Sequence, residues 1–501
     1  MRAFTRWLGR LCFLVVIVVL LGLSGAVLAT RYVFQEPAHI TWSRYLMPEF
    51  LAQRQNYPSV RWAFDLVEPL VHYPDPRVHF APSETAPPLE DAEAWSSALV
   101  GPRPAGIGGP PPTVSETILV TSAKELRAAV GSARPGTVIE FQPGTYDFSG
   151  ACISIDAPGE PAFPIVVRAA ELGSVRLRFS LLEGFRVAAP FWLFENLIIE
   201  GTCPTDSRCE HAFHVVGAAR GVVIRNNRMT NFNAAIKVNG SDGAFPDDGL
   251  ILHNAFVNER PRDTDKPVAV LDFVAASGWR VQKNLIADFA RARGSHISYG
   301  AFFKGAGENN LFEQNLVRCE WKHSGGARIG MSFGDGGTGR RYCRDGQCQV
   351  EHRNGVARNN IIMNCPNEAG IYLNKSAGTQ LHNNALINTR GIDVRFPESS
   401  AVIANNVIDG RLLARDGGVF SETNNILSPV KAAFLAKVSG DVYANPEEGD
   451  FRLIGLDSIP GRGAPLHDGG LDVCDQPYSA SAPDIGPIQY RLDLACTPVI
   501  P

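Results

Sequence analysis

The chain has 501 residues and a nearly even charge balance, 47 Lys and Arg against 51 Asp and Glu, for a net charge of −4 with histidine neutral. It carries no long basic block and no basic residues interleaved with aromatics, which excludes a general nucleic-acid binder. Its 48 glycines against 5 methionines suit many short strands joined by turns rather than a helical bundle.

Residues 1–30 place Arg2, Arg6 and Arg10 around and before an uncharged apolar run from Leu11 to Ala29. That run approaches the roughly 20 residues that span a bilayer, so the segment reads as a signal-anchor. The alternative is a signal peptide cleaved after Val27-Leu28-Ala29. The arginines would stay cytoplasmic. The remainder is expected to face the periplasm from the inner membrane, or to be secreted into the periplasm. Cys12 precedes the apolar run, which argues against acylation there.

Residues 31–100 form an N-terminal region without an assigned role, and residues 101–116 read as a Pro/Gly linker. An oxidising compartment lets most cysteines pair. Near neighbours suggest Cys203 with Cys209, Cys343 with Cys348 and Cys474 with Cys496, with one of the exported cysteines left over. Past the linker, Ser122 and the residues from Ala123 onward read as a capped amphipathic helix. Such a helix suits the open end of a stacked sheet.

One phrase then repeats, an asparagine followed by apolar residues, at Asn196, Asn227, Asn254, Asn284, Asn315, Asn360, Asn384, Asn406 and Asn425. The spacing is 19 to 31 residues, except for 45 between Asn315 and Asn360. This is the period of a β-solenoid with one large insertion. The fold expected is all-β, a right-handed parallel β-helix over residues 117–430 with an N-terminal capping helix and a membrane anchor, and residues 431–501 cover its last coil. Stacked asparagines would bond along a ladder while Ile, Val and Leu fill the interior.

Before each phrase runs a second strand: AIKVN, VAVLD, AFFK, ARIG, GIYLN and GIDVR. Period-two alternation sends Ile236, Val238, Ala301, Phe303, Ala327, Ile329, Ile371, Leu373, Ile392 and Val394 inward. Outward go Lys237, Asn239, Asp272, Phe302, Lys304, Arg328, Tyr372, Asn374, Asp393 and Arg395. Aligned this way, Lys304 and Arg328 are neighbours, about 4.8 Å apart on adjacent coils. A strip of cations and amides with an aromatic fits a linear anionic polysaccharide. The same strip also reads as a solvated sheet face.

The entry segment AKELRAAVGSARPGTVIEFQPGTY, the core FFKGAGENNLFEQNLV and GGARIG one coil later resemble the chondroitinase-B-like and alginate-lyase-like polysaccharide lyases of family six. The resemblance implies a parallel β-helix that cleaves uronate polymers by β-elimination. It implies Lys304 as the base and Arg328 as its assistant; Asn239, Phe302, Tyr372, Asn374, Arg395 and His323 are the residues expected to contact substrate. His296, His323, Tyr299 and water are candidates for the final acid. The sequence departs from the family in having no carboxylate in SHISYGAFFK, where many members hold calcium, and in carrying Ile329 after the arginine. No metal is therefore expected; Asp272 and Asn239 are two oxygen donors, few for calcium. The insertion after Arg328 is expected to form a lid or rim, with Glu351, His352 and Arg353 in a solvated turn or on substrate. A β-helical glycoside hydrolase, a C5-epimerase and a non-catalytic envelope glycan-binding solenoid are the alternatives.

Overall fold

The structure is a computed structural model that describes residues 80–82, 99–103, 106–107, 112–334, 338–428 and 437–490. The signal-anchor, most of the N-terminal region and Cys496 lie outside the described residues. The chain divides into two units, Met1–His79 and Phe80–Pro501, and only the second is described here. No helix among the described residues is long and apolar enough to cross a membrane.

Three long parallel sheets run through the second unit. The first has 12 strands, from Glu116–Val120 to Val419–Thr423. The second has 11, from Gly144–Ser149 to Ile426–Leu427, and the third has 10, from Ile153–Ile155 to Arg411–Arg415. A typical coil gives one strand to each sheet, in register with the next coil. This is a parallel β-helix. Its interior is built of columns: Val187, Val215, Val238, Phe273, Phe303, Phe333, Leu373 and Val394 follow one another on the third sheet, all fully buried. Phe273 and Phe303 stack at 4.5 Å.

The corner between the first and second sheets is two residues wide. Its first residue is left-handed in coil after coil: Asn196, Asn226, His253, Lys283, Gln314, Asn359, Asn383, Asn405 and Asn424 have φ between 52° and 63°. Asparagine tolerates that conformation better than most residues. The second residue points inward. Asn227, Asn254, Asn284, Asn315, Asn360, Asn384, Asn406 and Asn425 form a ladder, each Oδ1 accepting the backbone N–H and the Nδ2 of the preceding rung, or in Asn227 the Leu197 N–H. Asn196, which its sequence phrase placed among the rungs, is not one. It occupies the left-handed position, where its Oδ1 accepts from Asn226, and Leu197 stands where the ladder would continue.

Two extended segments seal this corner from outside. Arg103 bonds Asn226 in both directions, and the Gly101 carbonyl accepts from His253. The stretch read as a linker therefore contributes to the β-helix. Farther along, Gln314, Asn359, Asn383, Asn405 and Asn424 donate to the carbonyls of Asp472, Gly469, Asp484, Ala464 and Arg462. The same C-terminal segment covers the outer face of the second sheet, where Tyr443, Phe451, Ile459 and Ile485 pack with Leu285, Leu316, Ile361 and Val407. Within residues 437–490 it thus runs along the side of the solenoid instead of covering its last coil.

The capping helix spans Ala123–Ser132, with Ser122 accepting from Glu125 N and Glu125 accepting from Thr121. Leu126, Ala129 and Val130 bury against the open end of the core. Disulfides join Cys203–Cys209, Cys343–Cys348 and Cys319–Cys365, and Cys152 is free. Cys474 is also disulfide-bonded.

The ladder has a measurable weight. Asn315→Ala orphans the Asn284 backbone N–H, and an unfolding free energy lower by about 2–3 kcal/mol is expected in urea titration. Asn425→Ala, at the half-exposed last rung, is expected to cost less.

A candidate groove on the third sheet

The strands of the third sheet bend, and the bend decides which side chains face out. Val268 and Val270 lie in the main core, yet so do Leu271 and Phe273. The alternation therefore slips by one between residues 270 and 271. Small residues recur at the equivalent place, preceding the inward column Phe185, Phe213, Ile236, Ala301, Met331, Ile371 and Ile392: Gly184, Ala212, Ala235, Gly300, Gly330, Gly370 and Gly391. The space there is filled by backbone. A Cβ on Gly300 would lie 2.4 Å from the Gly330 carbonyl, and one on Gly330 would lie 2.5 Å from the Gly370 carbonyl.

This corrects the expected pairing. The register sets Ala301 against Met331 and Phe302 against Ser332, so Arg328 pairs with Ser298, six residues before Lys304. About 20 Å of strand separates the two cations. Lying on the N-terminal side of the bend, Arg328 turns inward and is 1% exposed. Its Nε donates to Gly325 O at 2.7 Å, its Nη2 to His323 O at 3.0 Å, and its Nη1 to Cys319 O. Asp288 lies 3.5 Å from Nη1 and accepts the Trp321 and Lys322 N–H groups. Burial pushes the Asp288 carboxyl up despite Arg328, and burial beside Arg328 holds His323 down to about 3. Arg328 and His323 thus shape a buried turn and do not join the polar strip.

On the outward side, one row reads Arg186, His214, Lys237, Asp272, Phe302, Ser332, Tyr372 and Asp393, one residue per coil. Lys237 bonds Asp272 directly. Burial pushes Asp272 up, but the ammonium groups of Lys237 and Lys304 outweigh it and hold the carboxyl below its ordinary value. Lys304 folds back over Phe302, 4.0 Å from the ring centroid, while Tyr299 stacks on the same ring at 4.6 Å. Phe302 is left 4% exposed. The aromatic expected to meet a sugar is thereby enclosed, and half-buried Tyr299 presents a ring in its place.

The His214 Nε2–H donates to Asn239 Oδ1 at 2.7 Å, and His214 Nδ1 lies 3.0 Å from Glu183. His214 holds the Glu183 carboxyl low, and burial drives His211, 5.3 Å from His214, down to about 4. Sequence alignment passed over Glu183, His211 and His214. His211 and His214 lie on the strand HAFHVV, which carries the same small residue before the inward column as AIKVN does, and Glu183 opens the strand EGFRV one coil earlier, with Gly184 at that place. At the far end Tyr372 accepts from Asn374 at 3.1 Å and Arg395 at 3.4 Å, and Arg395 pairs with Asp416. Burial pushes the Tyr372 phenol up.

The insertion lies at the rim, at the C-terminal end of the Lys304 strand. Arg344 N donates to Gly305 O, and Glu351 Oε2 accepts from Gly305 N. Glu351 and His352 are buried rather than in a solvated turn, with His352 stacked on Phe333 at 4.5 Å, and Arg353 is exposed. Asp272 is bonded to Lys237 and Asn239 to His214, so a divalent cation held by these two would have to displace an ammonium group. Cys343, Asp345 and Cys348 lie together, but the two cysteines are joined in a disulfide and offer no thiolate.

No protein-family model and no curated protein matches the sequence. Among solved structures, the chain is similar to pectate lyase Pel9A at 14% identity and a TM-score of 0.54, over 76% of this chain and 98% of that one. An alginate lyase from Paenibacillus sp. str. FPU-7 aligns at 13% identity and a TM-score of 0.39, over 63% and 96%. The first similarity shows a shared parallel β-helix.

The paired charges predict a pH-dependent stability. Because Asp272 is depressed in the folded state, its contribution is present above about pH 4 and is lost as the pH falls through the depressed value. Lys237→Met strands a buried carboxylate and is expected to cost about 3 kcal/mol at neutral pH, whereas Lys237→Met with Asp272→Leu recovers most of it. Urea unfolding of both variants between pH 3 and 8 checks this.

Proposed function

We propose that this protein is a polysaccharide lyase-like enzyme that binds a uronate-containing polysaccharide along the outer face of the third sheet and cleaves it by β-elimination. The observation that carries the reading is the trio Lys237, Asp272 and Lys304 on three successive coils, two half-buried lysines around a buried carboxylate. Lys304 is the base. Its amine takes the C5 proton, the electron pair forms the C4–C5 double bond, and the C4–oxygen bond breaks with its electrons leaving on oxygen. The C5 proton is acidic only while the adjacent carboxylate is neutralised. Lys237, oriented by Asp272, is the cation for that carboxylate, in the role expected earlier of Arg328. Of the side chains considered as the acid, Tyr299 is the one that packs on the same Phe302 ring as Lys304; its hydroxyl protonates the leaving oxygen.

Tyr372, Asn374 and Arg395 would bind the chain two to three coils farther on, and Asn239 on the other side. The reaction is metal-free. The protein works in the periplasm, held to the inner membrane by its N-terminal segment. A hydrolase would need two facing carboxylates with room for water. The acids of this face are committed elsewhere, Asp272 to Lys237 and Asp393 to Arg415, which favours elimination.

Residues 31–501 incubated with alginate, chondroitin, dermatan and pectate are expected to generate the ultraviolet absorbance of an unsaturated uronate, unchanged by a chelator. Lys304→Ala is expected to lower that rate by about 10²–10⁴. New reducing ends without absorbance would mean hydrolysis. Binding without either product would mean a glycan-binding solenoid.

A further inference from the structure

Lys304 is the last residue of its strand, so its position depends on the turn that follows. That turn is tight: Gly305 and Ala306 have φ of 74° and 61°. A Cβ on Gly305 would lie 2.7 Å from Ala275 N. The insertion takes up the polar groups of the turn. Gly305 N donates to Glu351 Oε2 at 3.0 Å, Ala306 N to Glu351 O at 2.8 Å, and Gly305 O accepts from Arg344 N at 2.9 Å.

From there the Arg344 side chain reaches back over two earlier coils. Its guanidinium binds both oxygens of Asp247 at 2.8 Å, Ser277 Oγ at 3.1 Å and Ala275 O at 3.3 Å, and it lies 4.4 Å over the Phe245 ring. Asp247 Oδ1 also accepts from Ser277 N at 2.9 Å. One residue thus ties together the loop after the Lys237 strand, the turn after the Asp272 strand and the turn after the Lys304 strand. A planar fork with several donors can do this, and a lysine cannot. The Cys343–Cys348 disulfide closes the loop around it, and Asp345 accepts from Gln347 N and Cys348 N within that loop.

We infer that Arg344 is the positioning residue of the groove, a clamp through which the disulfide-closed insertion fixes Lys304 relative to Lys237 and Asp272. The inference rests on the reading of Lys304 as the base. It explains why the longest insertion of the solenoid folds back onto the earlier coils rather than standing free.

The test compares Arg344→Ala, Arg344→Lys and the milder Asp247→Asn with wild type on the polymer it cleaves. Arg344→Ala is expected to lower kcat about 10- to 100-fold with KM within about twofold, because misplacing a catalytic group acts on the chemical step. Arg344→Lys should fall between, and Asp247→Asn should show the same pattern more weakly. A second readout needs no turnover: after reductive ¹³C-methylation, the dimethyl resonance of Lys304, assigned by its loss in Lys304→Ala, should shift in Arg344→Ala. Unchanged kcat overturns the clamp. So does a fall in melting temperature with an unmoved Lys304 resonance. If wild type cleaves no uronate polymer, the base reading fails by itself, and the resonance alone decides whether Arg344 positions Lys304.

Discussion

A column of side-chain carboxamides holds this solenoid in register. From Asn254 onward, each asparagine of the inner corner accepts two hydrogen bonds from the rung before it, and the rungs donate to main-chain carbonyls, as Asn284 does to Ile251 and Gln282. Buried amides with every group satisfied are specific as well as stabilising. A coil displaced by one residue would put a left-handed Lys283 or Gln314 side chain inside and leave the ladder broken. The strand registers of all three sheets follow from this constraint, and so do the rows of outward side chains. Lys237, Asp272 and Phe302 stand one behind another because Asn254, Asn284 and Asn315 do.

The bend in the third sheet partitions the polar residues of each strand. On its N-terminal side the outward and inward senses are exchanged relative to its C-terminal side, so Arg328 and Ser298 are enclosed while Lys304 and Asp272 face the groove. The two kinds of cation then meet different environments. Arg328, with five donors and a planar head, fits a pocket of carbonyls and a carboxylate deep in a turn. The lysines are half-buried beside a buried carboxylate, which Lys237 bonds directly. Neither arrangement is interchangeable with the other, because an ammonium in the Arg328 pocket would leave carbonyls unpaired.

The fold was legible because its determinants are local and periodic. Double asparagines mark a left-handed residue followed by an inner rung, and their spacing gives the coil. The capping helix announced itself through Ser122 and an amphipathic pattern. The site was less legible for a physical reason. Matching Ala301-Phe302-Phe303-Lys304 to Ala327-Arg328-Ile329-Gly330 relied on strict alternation, and a bend breaks alternation without changing composition. The usable signal was the small residue before the inward column: GAFFK aligns with GMSF, as it does with GIYLN and GIDVR. Phe302 was correctly read as outward, but its enclosure depends on Tyr299 and Lys304 folding over it, which no period encodes. The sealing segments have irregular backbones, and nothing in Gly101 or Arg462 alone announces a partner more than a hundred residues away or on another coil.

Those sealing segments also set the order of events as the chain folds. A solenoid can grow coil by coil from its capped N-terminal end, each new strand finding the previous one. The corner amides at Gln314, Asn359, Asn383, Asn405 and Asn424, however, receive their partners from residues 462–484, and the second sheet keeps an apolar outer face until the same stretch arrives. These are late, long-range contacts, whose closure entropy is met only after the coils exist. A chain emerging N-terminus first would therefore keep one apolar flank open to other chains until residues 437–490 reach it and end that period of aggregation risk.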